Sequence, residues 1–431
     1  MSRNQWPTQR LGSCYSVRDE RAGSLADELP LMSVSQIHGV VPRAELVGDS
    51  GRAEDLSKYK VAMTGDIVLN RMSAYNGALG VARQNGIVSP DYLVMIPSVL
   101  ADPDFVAAGL KTPLGVSEMS RRLRGIGSAD SSQVRTPRVN ESDLRLIPVA
   151  LPPLDEQRAI ADYLDRETAR IDTLIEEIET SIALSGERRS ALITAAVTGQ
   201  IDVTSSAAGE MGRQDYDSGG VNFSLGERRR SRLRYCLKVD PPVDPSVREN
   251  PYLEVSFLPM EAIGEHGGLD LTREIPAQEA SSGYTSVADG DVVLAKVTPC
   301  FENGKGALVF GLKNGFGFAT TEVYALRPNH GTNARFLDYV LRSSEFRQYG
   351  TARLTGAGGL KRLSSTDLKN FEITLPSPDE QRAIADYLDR ETARIDTLIA
   401  EQRKLVELAR ERRSALITAA VTGQIDVRKA S

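Results

Sequence analysis

The stretch DEQRAIADYLDRETARIDTLI runs from Asp155 to Ile175 and recurs letter for letter from Asp379 to Ile399. ERRSALITAAVTGQIDV recurs with the same offset, at Glu187 to Val203 and Glu411 to Val427. Between the blocks only Glu176 to Gly186, against Ala400 to Arg410, has drifted, with no insertion or deletion. A repeat this long in 431 residues implies two pseudo-equivalent halves, because a solenoid needs several short units.

Each repeat reads as one long amphipathic helix. Pro152 and Pro153 block its extension backwards, while Asp155 and Glu156 suit the positive end of the helix dipole. Gly199 supplies a left-handed stop. Apolar residues recur at Ile160, Leu164, Ile171, Leu174, Ile178 and Ile182, and in the second copy at Ile384, Leu388, Ile395, Leu398, Leu405 and Leu416. This three-and-four spacing marks one face. About 44 residues at 1.5 Å each would span roughly 66 Å. Gly186, where the second copy has Arg410, is a candidate kink. Such a stripe needs a partner. The obvious one is the other copy, in an antiparallel coiled coil that places the two unique regions at opposite ends of a rod about a pseudo-twofold axis. The competing arrangement lays each helix on its own domain.

The unique regions read as mixed α/β, with short strands and many Gly and Pro turns. They echo each other. GDIVLNRM (Gly65 to Met72) matches GDVVLAKV (Gly290 to Val297), and RVNESDLRLIPVALPPLDEQ matches RLSSTDLKNFEITLPSPDEQ. The expected fold is therefore α+β, two diverged copies of one mixed domain joined by two long helices. The expected boundaries are 1–151 and 223–375 for the unique domains and 152–203 and 376–431 for the helices. The small, polar, Gly-rich segment 204–222 reads as a flexible linker.

Composition removes several classes. Hydrophobic residues make up 41%, enough for sizeable cores. No apolar run approaches the roughly 18 residues of a membrane helix, and the N-terminus does not resemble a signal peptide, so a cytoplasmic protein is expected. Cys14, Cys236 and Cys300, like His38, His266 and His330, are scattered, which argues against a disulfide framework or a metal site. The net charge of −6 is unevenly spread. Asp155 to Val203 holds five basic and eleven acidic residues, and Asp379 to Val427 eight and ten, so the unique regions are mildly basic.

The order of unique domain, LPPLDEQRAIADYL helix ending RRSALITAAVTGQIDV, second unique domain and second such helix resembles the specificity subunit of a type I restriction-modification system. So do the opening WPTQRL (Trp6 to Leu11), the GDIVL strand and the Gly-rich loops. The resemblance covers nearly the whole chain. It implies two target-recognition domains, each reading half of a bipartite double-stranded DNA target, with the helices acting as a ruler. It also implies docking of two DNA adenine methyltransferase subunits and two motor-nuclease subunits. S-adenosylmethionine, ATP and Mg would then belong to those partners, with no cofactor on this chain. Identical helices would present identical surfaces to identical partners. Diverged domains imply an asymmetric target, with half-sites about 34 Å apart or a multiple, on one DNA face.

Lys and Arg on phosphates would supply affinity and polar side chains at base edges would supply sequence choice. In the first domain the candidates are Asn70, Arg71, Ser73, Tyr75 and Asn76 after the GDIVL strand, then Arg121, Arg122 and Arg124, and the polar loop with Ser128, Gln133 and Arg135. In the second they are Lys296, Thr298, Asn303 and Lys305, then Arg353 and the TGAGGLKR loop with Lys361 and Arg362. RRRSRLR (Arg228 to Arg234) is either a phosphate clamp or the start of the second domain.

Catalysis is not expected. DPPV (Asp240 to Val243) resembles the D-P-P-Y/F of adenine methyltransferases but lacks the ring that stacks on a flipped base. NGFGF (Asn314 to Phe318) lacks the context of a cofactor pocket. No G-x-x-x-x-G-K-[ST] loop is present. The rival reading is a non-enzymatic coiled-coil adaptor that binds two identical protein partners without DNA.

Overall fold

The structure, a computed structural model, describes residues 6–36, 38–47, 55–124, 137–201, 203, 229–280, 283–357 and 359–428. The expected linker, 204–222, lies outside them. The chain forms two compact units, one of residues 1–179 with 404–431, the other of residues 180–403. Each therefore takes one unique region and a part of both repeats.

The helices are as long as the periodicity required, Leu154–Thr198 and Pro378–Val421. Gly186 does not interrupt the first. Within unit 1, Arg413 reaches Asp172 at 2.8 Å and Arg410 reaches Glu179 at 2.8 Å. Rising numbers in one helix meet falling numbers in the other, so the two run antiparallel. Unit 2 shows the same register, with Arg189 3.0 Å from Asp396 and Gln402 donating to the Ser181 hydroxyl at 2.7 Å. Arg189 and Asp396 stand at the repeat positions of Arg413 and Asp172, so one ion pair is made twice.

Both readings of where the apolar stripe goes contain part of the answer. Ile160 and Leu164 enter the core of unit 1, and so do Ala420, Val421 and Val427 from the far end of the second helix. In unit 2 the core takes Ile384 and Leu388 together with Ile193, Ala196 and Val197. Each domain thus closes on the start of its own helix and the end of the other one. Ile171, Ile178 and Ile395 are half-buried between these ends.

Three seam positions need correction. Leu174, Leu398 and Leu405 are 48%, 46% and 52% exposed, whereas Ile175 and Val406 are buried. The seam follows a four-three step through Ile171, Ile175 and Ile178, and through Ile395, Ile399, Gln402 and Val406. Leu398 and Leu405, seven residues apart, imitate that heptad from the neighbouring face. Adjacent Leu-Ile or Leu-Val pairs leave period counting one residue of freedom.

Both units carry a four-stranded antiparallel sheet in the same order. In unit 1 it runs Tyr15–Arg18, Leu93–Pro97, Ile67–Leu69, Leu79–Val81, and in unit 2 Leu237–Val239, Val323–Pro328, Val292–Ala295, Gly306–Leu308. The GDIVL and GDVVL runs form the third strand of each, apolar throughout and buried. Gly65 and Gly290, at φ 91° and 92°, make the turn before it. The following Asp is buried and paired: Asp66 with Arg18 at 2.7 Å, Asp291 with Arg327 at 2.7 Å. Each also accepts a backbone N–H across the turn, from Met63 and Ala288 respectively, both at 2.8 Å. The Arg comes from the first strand in unit 1 and from the second in unit 2.

The glutamine of each DEQ run holds helix to domain. The Gln157 amide accepts from Asp102 N at 2.9 Å and donates to the carbonyls of Leu100 and Pro152. Gln381 repeats this with Asn333 N at 2.7 Å and the carbonyls of Gly331 and Pro376. Both are fully buried and their amide groups are satisfied, so their recurrence has a packing reason.

Candidate nucleic-acid interface

In unit 2 the GDVVL strand leads into Lys296, Val297 and Thr298, and these carry a hairpin of Thr355–Ala357 and Leu360–Arg362. Thr298 N donates to Lys361 O at 3.0 Å, its hydroxyl accepts from Lys361 N at 2.9 Å, and the same hydroxyl donates to Gly359 O at 3.0 Å. Leu363 N donates to Lys296 O at 2.9 Å. Four hydrogen bonds thus hold one edge of a ribbon whose six strand residues are all exposed.

Glycine is required there. A Cβ on Gly356, at φ 151°, would lie 2.3 Å from Leu360 O, and Gly359 turns at φ 83°. Lys361, Arg362 and Arg353 make no ion pair among the described residues, so their charges face solvent unneutralised. The Arg353 guanidinium lies 3.8 Å from the Tyr349 ring centroid. Lys296 is half-buried with its ammonium 4.5 Å from the Tyr324 ring, and burial lowers its pKa below the ordinary lysine value. Asn303 and Lys305 go elsewhere. Asn303 donates to Glu265 at 3.3 Å, and Lys305 donates to Met260 O at 2.9 Å as an internal strut.

Unit 1 repeats the scaffold. Val139 N donates to Arg71 O at 3.1 Å, the counterpart of the Leu363–Lys296 bond, and Arg138–Val139 pairs with Leu123–Arg124. Arg71 donates to Asp91 O at 2.7 Å. Asn70 accepts from Met72 N at 3.1 Å, which shapes the turn through Ser73. Tyr75 and Asn76 follow, both exposed, on a short 3-10 turn closed by Gly77 at φ 69°. Arg121 and Arg122 both bind Glu118, at 3.2 and 2.5 Å, so this basic cluster carries less free charge than its letters suggest. The main chain of Arg124 pairs with Arg138. Ser128, Gln133 and Arg135 lie outside the described residues.

Two residues of this surface went unnamed in the sequence reading. Arg138 is exposed and stands where unit 2 has Arg362. The pairing of RVNESDLRL with RLSSTDLKN already set those two arginines opposite each other. Leu360, at the hairpin tip, is the other, and its apolar side chain hid it from a search for polar contacts. Asp240 of DPPV continues the pairing of the first strand with its neighbour: it accepts from Ala325 N at 2.9 Å and donates its own N–H to Ala325 O at 2.7 Å. Asn314 of NGFGF donates to Glu254 O at 2.9 Å and leads into the strand Phe316–Ala319. Among the described residues no group of three His, Cys, Asp or Glu could hold a metal ion, and no helix is long and apolar enough to cross a membrane.

Two diverged copies of one mixed helix-and-strand domain, each closed by two antiparallel helices and each pairing a short ribbon beside the same strand, define a duplicated two-unit protein. A family model for the type I restriction modification DNA specificity domain matches residues 118–183 and 287–408. Over those two stretches the chain is similar to that domain, and the similarity extends to individual specificity subunits. The chain is 35% identical over 178 residues to the Escherichia coli type I restriction enzyme EcoAI specificity subunit, and 36% over 157 residues to the EcoEI specificity subunit of the same organism. These matches cover 41% and 36% of this chain but 29% and 26% of those relatives, under a third of their length. A solved chain, described as "Structural basis underlying complex assembly and conformational transition of the type I R-M system", shares the fold at a TM-score of 0.60 and 17% identity. That likeness covers 98% of this chain and 99% of that one.

Proposed function

We propose that this chain is the DNA-reading subunit of a type I restriction-modification complex and works in the cytoplasm. Each unit reads one half of an asymmetric, bipartite double-stranded target. The observation that carries the reading is the exposed ribbon of unit 2, pinned by Thr298 and bearing Lys361 and Arg362. Its scaffold recurs in unit 1 around Arg71 and Arg138. A basic ribbon beside a rigid strand suits phosphate contact and groove insertion. Differences between the two ribbons give different half-sites, and the long helices set their spacing.

The helices also dock two identical methyltransferase subunits, with motor-nuclease subunits joining them. Packing accounts for the identity of buried positions such as Gln157 and Gln381. It does not account for positions that are exposed in both copies and still identical, such as Arg158 and Arg382, Arg166 and Arg390, or Leu174 and Leu398. A surface read by the same partner twice does. S-adenosylmethionine, ATP and Mg serve those partners, and the chemistry is theirs.

The test is a single-molecule methylome of cells making this chain with its methyltransferase, against cells making the methyltransferase alone. A bipartite, asymmetric N6-methyladenine motif that appears only with the chain is expected. An unchanged methylome with an active partner would sink the DNA reading and leave the two-partner adaptor. In the purified complex, Lys361→Ala with Arg362→Ala should flatten the dependence of log K on log salt by close to two contacts' worth, at a slope of roughly 0.9 per phosphate.

A further inference from the structure

Leu360 is 48% exposed at the tip of the unit 2 hairpin. Its cross-strand partner is Ala357, also exposed, so the leading end of an otherwise basic ribbon is apolar. Among the described residues about half of its side chain is left open, and the Thr298 bonds hold the ribbon through its main chain. A single exposed leucine is ordinary on a protein surface; what singles out Leu360 is its place at the leading end of a pinned, cation-flanked ribbon, where anything seated on that ribbon meets it first.

We infer that Leu360 packs against the C5 methyl group of a thymine in the major groove of the half-site read by unit 2. This rests on the DNA reading proposed above. Two strands about 4.8 Å apart with side chains on both sides fit a groove about 12 Å wide, and not one about 6 Å wide. On the floor of the major groove the thymine methyl is the one apolar group a base edge offers. Side-chain alternation along Leu360, Lys361 and Arg362 sends the two cations to opposite sides, where the phosphate rims lie. Leu360 thus discriminates A·T from G·C at one position by packing, while its neighbours supply affinity without sequence choice.

The experiment uses the complex with its methyltransferase and duplexes bearing the motif found by the methylome. Each thymine in turn is replaced by deoxyuridine, which removes only the methyl group. One such replacement should weaken binding about four-fold, the effect of one buried methyl group. Leu360→Ala should cost a similar factor and abolish that uridine effect, giving a non-additive double-mutant cycle. The exposed site makes loss of folding by this variant an ineffective escape, and an unchanged salt slope checks that the ribbon still docks.

A cycle that is additive at every thymine overturns the assignment while sequence preference survives. Enhanced 2-aminopurine fluorescence that disappears with Leu360→Ala would place the leucine between base steps and overturn it too. A complex with no sequence preference at all would take down both this inference and the DNA reading beneath it.

Discussion

The last turn of the helix Pro103–Lys111 in unit 1 and of its counterpart Ala334–Arg342 in unit 2 solve one geometric problem with opposite chemistry. In unit 2, Asp338 is buried and pairs with Arg342, whose guanidinium also donates to His266 O at 2.9 Å. Arg189, from the end of the first long helix, donates to the same carbonyl at 3.2 Å. Arg347, on the next helix, donates to Phe301 O and Gly304 O at 3.0 and 3.1 Å, and burial pushes its pKa down to about 10. Burial outweighs its partners at Asp338 and raises that carboxyl's pKa.

Unit 1 has Ala107, Lys111 and Val116 at these places. Lys111 makes no hydrogen bond or ion pair among the described residues, and burial lowers its pKa, with Arg413 adding repulsion. His38 and Gly39 line an open cleft of about 440 Å³ with it, whereas the Arg342 guanidinium of unit 2 packs against Gly267. The next helix pair shows the same give and take in volume: Gly115 and Met119 stand opposite Phe346 and Gly350, so the large side chain has changed sides. Duplicated backbones hold their topology while interior groups are exchanged as sets. A single member moved alone should cost most.

Asp338→Ala moves one member alone. It leaves Arg342 and Arg347 without their buried anion and should destabilise the chain by about 3–5 kcal/mol in urea unfolding. Adding Arg342→Lys and Arg347→Val, which completes the unit 1 set, should recover much of that loss. A cost under about 1 kcal/mol for the single change would break the comparison.

The clamps should be alike in both halves. Gln157→Ala and Gln381→Ala each strand a buried N–H and two carbonyls, for a loss of about 1–3 kcal/mol apiece. Markedly unequal losses would show that the two helix starts are not energetically equivalent.

The smallest effect is expected at Lys111. Because its folded pKa lies below its unfolded value, the unfolded state holds the extra proton in the window between them, and stability rises with pH there. That contribution is absent at neutral pH, so Lys111→Met should raise the unfolding midpoint slightly at pH 7 and remove the rise just below the ordinary lysine range. A midpoint lowered at pH 7 would mean that the ammonium has an acceptor it relies on.

Much of the architecture was legible in the letters. Two blocks at one offset demanded two halves, and Pro152–Pro153, the DEQ starts and the VTGQIDV ends marked helices that the structure places at Leu154–Thr198 and Pro378–Val421. The GDIVL and GDVVL runs signalled matching buried strands. Of the interface, Thr298 and Lys361 were named separately, and only the fold shows one holding the other. Lys305 looked equally promising and serves as a strut, because a lysine letter does not say which carbonyl is near.

What the sequence determined alone is what depends on local period and on repetition: helix length, strand identity and the pairing of the halves. Tertiary structure decided which member of each Leu-Ile or Leu-Val pair is buried, since adjacent positions differ by about 100° and only a packed neighbour chooses between them. It also decided that each domain closes on the end of the other helix, and that Glu118 neutralises Arg121 and Arg122. Leu360 stands exposed for the same reason. Long-range contact sets the environment of a side chain, and neither its letter nor its spacing carries that.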